Sequence, residues 1–429
     1  MYFLGAIMNP LNSASLAING GTPIRKGGWP IWPVYEAETV EVLQQVLKSR
    51  RWAISSVYNG NPLYEKKFAK AFAEFCGVNY CIPTDHGSSA LLIALEALDI
   101  GYGDEVIVPA LTWVATASAV TNVNALPVIV DVDPDTLCID PGQIEVAITS
   151  RTKAIIPVHL YSGMANMDAL LAISKKYNIP IIEDSSHVHG AQWKNKCAGA
   201  IGTLGTFSMQ HSKVLTCGEG GTVITDDPIL AKKLEQLRSD SRIYLNRDFK
   251  TYDMELETLG EVQGTNFCLS EFHAAVLVDQ LTRLESQNRT RENNSYYLDH
   301  LLGKMEGVIP LKLYPGLTRR TIYCYVVKIK KEFLVNTSIH DWCQALSAEL
   351  AIPFNPVYEP VHQVLSYNPM SKKRFRSLID HQSDFQKSRF PCPNGEAAYR
   401  QCIAFPHWVL LGSRKDMEDI AEAFNKLFK

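Results

Sequence analysis

Between about residues 79 and 226, short apolar runs alternate with longer segments whose apolar residues recur at helical spacing. This alternation constrains the fold more than any other feature. Strands that lie parallel need long crossovers, and helices that serve as crossovers cover both faces of the sheet. The expected strands are 79–83, 105–109, 127–131, 154–159, 180–183, 205–208 and 221–225, with helices such as 87–98 and 166–177 between them. The class is therefore α/β, a mostly parallel sheet flanked by helices.

Upstream, Asn61 and Pro62 have the order of an N-cap and a first-turn proline, and Phe68, Phe72 and Cys76 repeat every four residues behind them. Downstream, 270–298 reads as one long helix joining a large domain to a smaller one. The expected division is an N-terminal arm over 1–34, a large domain over 35–300 and a small C-terminal α+β domain over 301–429. In the last of these YCYVVKIK (323–330) alternates like a strand, Trp342, Leu346 and Leu350 share a helical face, and Met417, Ile420, Phe424 and Leu427 share another. The segment 353–400, with its prolines, serines and basic residues, reads as irregular.

A sheet of seven strands needs a large core, and 429 residues with 46% hydrophobic content provide it. The 42 basic and 45 acidic residues form no long block of one sign, so neither a nucleic-acid groove nor a basic membrane surface is expected. Ten cysteines are scattered without a C-x-x-C pair, which fits a reducing, cytoplasmic compartment. The opening MYFLGAIMNP lacks the basic start of a signal peptide, and no apolar run approaches about 18 residues. A soluble, unexported chain with a frayed start is the expectation.

Three segments carry chemistry. In FSMQHSKVLTCGEGG (207–221) a short strand runs into Lys213 and a glycine-rich turn. A buried lysine loses enough basicity to attack an aldehyde and form a Schiff base, although a solvated loop lysine fits this segment alone equally well. In PIIEDSSHVHGA (180–191) Asp184 ends a strand, where ligands sit in parallel sheets, and its plainer reading is a helix N-cap. In DHGSSALLIALEAL (85–98) Gly87, Ser88 and Ser89 open an apolar helix, and backbone N–H groups and hydroxyls there suit a phosphate. Trp113, in PALTWVATASAV (109–120), follows the next strand and can stack on a flat ring or belong to the core.

An aldehyde-reactive lysine, a carboxylate for a ring nitrogen, a phosphate cradle and a stacking aromatic together describe a site for pyridoxal 5'-phosphate. The competing motifs are weaker. GYG at 101–103 lacks the third glycine of a dinucleotide fingerprint, and no G-x-x-x-x-G-K-[ST] occurs. His187 and His189 form an H-x-H pair with His159 upstream, but no cysteine or carboxylate set at zinc spacing joins them, so no metal is expected.

These segments, with GGTPIRKGGWPIWP (20–33), RWAISSVYNG (51–60), GDEVIVPALTWVATAS (103–118), DVDPDTLCIDP (131–141), RTKAIIPVHLYSGMANMD (151–168) and GEVQGTNFCLSEFHAA (260–275), resemble the DegT/DnrJ/EryC1/StrS aminotransferases over nearly the whole chain. The resemblance implies a fold-type I pyridoxal phosphate transferase. It also implies roles residue by residue: Lys213 as the Schiff-base lysine and proton shuttle, Asp184 on the ring nitrogen, Trp113 on the ring face, and Ser88, Ser89 and Ser208 on the phosphate. His187 stands near the ring hydroxyl where many members have glutamine, and an HGSS turn replaces the frequent SGT. Asn266 matches a position that reaches the phosphate of a neighbouring subunit, which implies a homodimer with shared sites. WPIWP, SMQHSKVLTCGEGG and GTNFCLSEF are most similar to the branch that transfers the amino group of L-glutamine to scyllo-inosose or 2-deoxy-scyllo-inosose in aminocyclitol antibiotic pathways. Other family activities compatible with the motifs are amination of nucleotide-linked keto sugars, with Arg374 and Arg376 as candidate contacts, and 3-amino-5-hydroxybenzoate synthesis. L-Glutamate remains an alternative donor.

Overall fold

The computed structural model describes residues 10–376 and 389–428, so the start of the chain and part of the 353–400 segment lie outside the described residues. Seven strands form the first sheet: β1 (Tyr80–Thr84), β2 (Glu105–Pro109), β3 (Leu126–Val130), β4 (Thr152–Ile155), β5 (Ile182–Asp184), β6 (Leu204–Ser208) and β7 (Gly221–Thr225). Their spatial order is β3-β2-β4-β5-β6-β7-β1; β4 meets β5 through the Ile155–Ile181 and Val158–Asp184 bridges. All neighbours run parallel except β7, which is antiparallel to both β6 and β1. Every residue of β2 and β3 is buried, as expected of strands covered on both faces.

The helices over this sheet are α1 (Ala37–Ser49), α2 (Tyr64–Cys76), α3 (Gly87–Ala97), α4 (Ala115–Asn122), α5 (Pro141–Ala147), α6 (Met167–Tyr177) and α7 (Pro228–Arg238). Phe68, Phe72 and Cys76 of α2 are buried as their spacing demands. The helix starts later than its sequence indicates, however: its N-cap is Leu63, which supplies no side-chain bond. The carboxylate of Glu271, distant in sequence, accepts from the backbone N–H groups of Tyr64 and Glu65 at 2.6 and 2.9 Å. With that acceptor in place, Asn61 and Pro62 are not needed as the start signal.

The long helix α8 (Glu271–Leu302) begins at an N-cap, Ser270, and runs through both cores. Its Leu277 and Leu284 pack with Phe68, Phe72 and Phe207. Its Leu298 and Leu302 pack with Trp342, Leu346, Ile420 and Phe424. A second, antiparallel sheet follows, ordered β8 (Val308–Pro310), β9 (Cys324–Ile329), β11 (Cys402–Pro406), β10 (Asn355–Pro356). It is covered by α9 (Ile339–Leu350) and α11 (Arg414–Leu427). Leu11 and Leu16 of the N-terminal segment join the same core, and the buried Glu349 accepts from the backbone of Ala17 and Ile24.

The expectation of an irregular 353–400 is corrected at its end, where Pro393–Gln401 forms helix α10. Asp131, at the end of β3, accepts from the N–H groups of Asn394 and Gly395, both at 2.9 Å, and so caps a helix that is remote in sequence.

Candidate active site

A cleft of about 460 Å³ opens at the carboxyl ends of β5 and β6. Strand ends, the first turn of α3, the β2–α4 turn and two tyrosines of the C-terminal region build it. Of the residues singled out from sequence, Gly87, Ser88, Trp113, Asp184, His187, Ser208 and Lys213 line it. Ser89 does not: as the third residue of α3 it is buried on the inner side of the helix. Asn266 is exposed elsewhere, its side-chain oxygen accepting from the Cys268 N–H at 3.2 Å.

Lys213 sits in a tight turn whose N–H donates to the Gln210 carbonyl at 2.8 Å. Its side chain is buried, and burial pushes the amine down to about 8 against the opposing pull of Asp184. Its Nζ lies 4.2 Å from the centre of the Tyr323 ring. Asp184 caps no helix. One of its oxygens accepts from Thr116 Oγ1 at 3.0 Å and the other from the Ser186 N–H at 3.2 Å, and Thr116 is itself bonded to Thr112. Those two donors fix the orientation of the carboxylate at the strand end.

His187 accepts the Tyr161 N–H on Nδ1 at 3.1 Å, so its proton resides on Nε2. Burial, and then the charge of Lys213, hold the imidazole well below its usual range, and it stacks on Tyr323 with ring centres 4.0 Å apart. His159 is occupied differently: Nδ1 accepts from the Ala165 N–H and Nε2 donates to the buried Glu183, which also takes the N–H groups of Gly199, Ile201 and Gly202.

The first turn of α3 has no side-chain cap, and its N-cap His86 lies on the cleft. Close packing explains Gly87, since a Cβ there would lie 2.6 Å from Ser208 Cβ and 2.9 Å from its Cα. Gly87→Ala is expected to push α3 off β6, cost about 1–3 kcal/mol and weaken anion binding at the helix start. Thermal unfolding and a phosphate titration check it; an unchanged melting temperature together with unchanged affinity would show that the contact is not needed. Thr112, Thr116, Tyr323 and Tyr358 are site residues that sequence reading missed. The threonines flank the singled-out Trp113, but nothing in the sequence ties the tyrosines, far along the chain, to this strand end.

Residues 34–425 match the model of the DegT/DnrJ/EryC1/StrS aminotransferase family. The chain belongs to that family. Among family relatives, the L-glutamine:2-deoxy-scyllo-inosose aminotransferase of Streptoalloteichus tenebrarius is 45% identical over 96% of this chain and 97% of its own. The L-glutamine:scyllo-inosose aminotransferase of Streptomyces griseus is 44% identical over the same shares. Among solved structures, 3-amino-5-hydroxybenzoic acid synthase superposes with a TM-score of 0.78 at 29% identity, covering 92% of this chain and 98% of that one. DesV of S. venezuelae, solved with a ketimine intermediate, gives 0.76 at 29% identity over 92% and 95%. The chain is thus an aminotransferase with the fold-type I architecture of its family, including the mostly parallel mixed sheet.

Proposed function

We propose that the protein is a pyridoxal phosphate-dependent aminotransferase that moves the amino group of L-glutamine to a cyclic keto-polyol, scyllo-inosose or its 2-deoxy form, by alternating half-reactions. Sequence identity of about 45% over almost the full length to enzymes named for those substrates supports the substrate class. The observation that carries the chemistry is the buried amine of Lys213, with its pKa near 8, in one cleft with the fixed carboxylate of Asp184.

The cleft residues fit the cofactor: an uncapped helix start for its phosphate beside Ser88 and Ser208, a 59% exposed Trp113 for its ring face, and Asp184 for its ring nitrogen. When bound, pyridoxal phosphate supplies an aldehyde carbon that takes up the amino group and a ring that accepts the electron pair released at the donor carbon. Asp184, held by Thr116 and Ser186, would pair with the ring nitrogen and keep it protonated. His187, whose Nε2 carries the proton, would serve the ring hydroxyl. Lys213 Nζ would take the proton from the donor's α-carbon in one half-reaction and deliver one to the former ketone carbon of the acceptor in the other.

A diphosphate-linked keto sugar is the other substrate class that the family motifs allow. Arg374, the candidate contact for such a diphosphate, donates instead to the Thr121 carbonyl and Asn122 at the end of α4, and the side chain of Arg376 lies outside the described residues. The reading includes a homodimer in which the exposed Asn266 serves the neighbouring site, and a cytoplasmic location. No helix among the described residues is long and apolar enough to cross a membrane. It also divides the chain into an arm to 34, a large domain to 300 and a small domain beyond, supported by the passage of α8 from one core to the other.

The test is an absorbance spectrum of the cofactor-loaded protein before and after L-glutamine, then after each ketone. Bleaching by glutamine, recovery with an inosose and an aminocyclitol in the mass spectrum are expected. A spectrum that only a nucleotide-linked keto sugar restores would replace this substrate class, and an aromatic product would turn the reading toward the hydroxybenzoate synthase type.

A further inference from the structure

The turn that carries Lys213 is gripped from outside the first sheet, by residues from both ends of the chain. Ser212, immediately before the lysine, donates its N–H and hydroxyl to Gln210 Oε1 within the turn, at 2.8 and 2.7 Å, and is also held from outside it. Its carbonyl accepts from His407 Nε2 at 3.0 Å, and its hydroxyl lies 2.9 Å from Tyr323 Oη. His407 and Tyr323 flank the paired ends of β11 and β9, and the His407 N–H donates to the Tyr323 carbonyl at 3.1 Å. One residue earlier, the His211 carbonyl accepts from Trp32 Nε1 at 3.1 Å. Trp32 meets His407 edge to face, ring centres 4.6 Å apart, and the buried Arg291 lies 5.2 Å from the Trp32 ring.

We propose that His407 and Trp32 are positioning residues for Lys213, fixing the two peptide planes that precede it and so the direction in which its side chain leaves the turn. The proposal rests on the reading of Lys213 as the reactive amine. Its physical basis is that the Ser212 carbonyl shares a peptide plane with the Lys213 nitrogen. If that plane turns, the Lys213 Cα–Cβ bond swings with it, and a displacement of about 1 Å at a reacting group costs about a hundredfold in rate. His407 is suited to the task because burial, and then Arg291, keep it neutral, so Nε2 remains a fixed donor. The groups facing the Lys213 amine are Asp184, His187, Tyr323 and Cys324, with His189, His407 and Arg291 behind. Neither His407 nor Trp32 lines the cleft, so both act through the backbone.

The experiment compares wild type, His407→Leu, His407→Gln and Trp32→Phe as full-length protein. Glutamine can donate from nearly the place of Nε2, whereas leucine cannot, and phenylalanine keeps a ring without the N–H. Two quantities are read: the pH midpoint for labelling of Lys213 by pyridoxal phosphate with borohydride, identified by peptide mass, and the steady-state constants. The expected result is a midpoint raised toward 10.5 in His407→Leu as the lysine relaxes into solvent, and kcat lowered about tenfold with KM for glutamine unchanged. Recovery in His407→Gln and a smaller change of the same sign in Trp32→Phe are also expected. Unchanged midpoint and kcat in His407→Leu overturn the proposal, as does failure of glutamine to restore them. If His407→Leu does not fold, Trp32→Phe decides by the same two quantities. Absence of Lys213 labelling in wild type instead removes the functional reading beneath it.

Discussion

Replacing Lys213 with methionine is expected to abolish turnover while making the cofactor-free chain more stable near neutral pH. In the proposed mechanism the first effect, a fall of about a thousandfold or more, follows from losing both the nucleophile and the group that would move the proton. The second follows from burial. The amine's folded value of about 8 lies below the ordinary 10.5, so between those pH values the folded chain holds fewer protons than the unfolded one. The penalty for the buried charge is complete below pH 8 and fades as pH rises toward 10.5. A shift of this size corresponds to about 3 kcal/mol at neutrality. Urea unfolding of both cofactor-free proteins at pH 7 and again above 10.5 measures it. Equal stability at pH 7 would mean that the amine carries no such burden, and residual turnover at the wild-type rate would remove Lys213 from the mechanism.

Arg238→Met is expected to destabilise the chain by about 3–5 kcal/mol. Arg238 Nη1 lies 2.5 Å from Glu65 Oε1, and both side chains are almost wholly buried. Tyr244 also donates to Glu65, at 2.8 Å. Removing the guanidinium leaves a carboxylate stranded next to Glu271, the carboxylate that caps α2. Adding Glu65→Leu to Arg238→Met should recover most of the loss, because a matched apolar pair avoids the desolvation cost altogether. Denaturant midpoints of the single and double variants check this. A double variant no more stable than the single would assign the loss to packing of the long side chain instead of to charge.

The elements legible in the sequence were those whose signal is local. The run EVIVP and the four-residue repeat of Phe68, Phe72 and Cys76 mark buried strands and helix faces without reference to the rest of the chain. Where a distant side chain supplies the boundary, local reading fails: Glu271 starts α2 later than Asn61 and Pro62 indicate, and α10, which Asp131 starts, lies in a segment that reads as irregular. The site divides in the same way. Lys213, Asp184, Gly87 and Trp113 stand in segments with their own turn or strand-end chemistry. Thr116 needed the geometry of α4 over β5, and Tyr323 and Tyr358 come from a part of the chain whose approach to the cleft no spacing encodes. Ser89 lay in the right motif, but its place one residue deeper in the helix turned it into the core.

Helix α8 holds a consequence for how this chain can change in length. Its thirty-two residues form a beam of roughly 48 Å, anchored by Leu277 and Leu284 in one core and by Leu298 and Leu302 in the other. One residue added between those anchors would rotate everything beyond it by about 100° and advance it by about 1.5 Å. The second sheet would then face away from the lysine turn with its tyrosine and histidine. The helix is in that sense a gauge, and its length between the two anchors is a dimension of the active site.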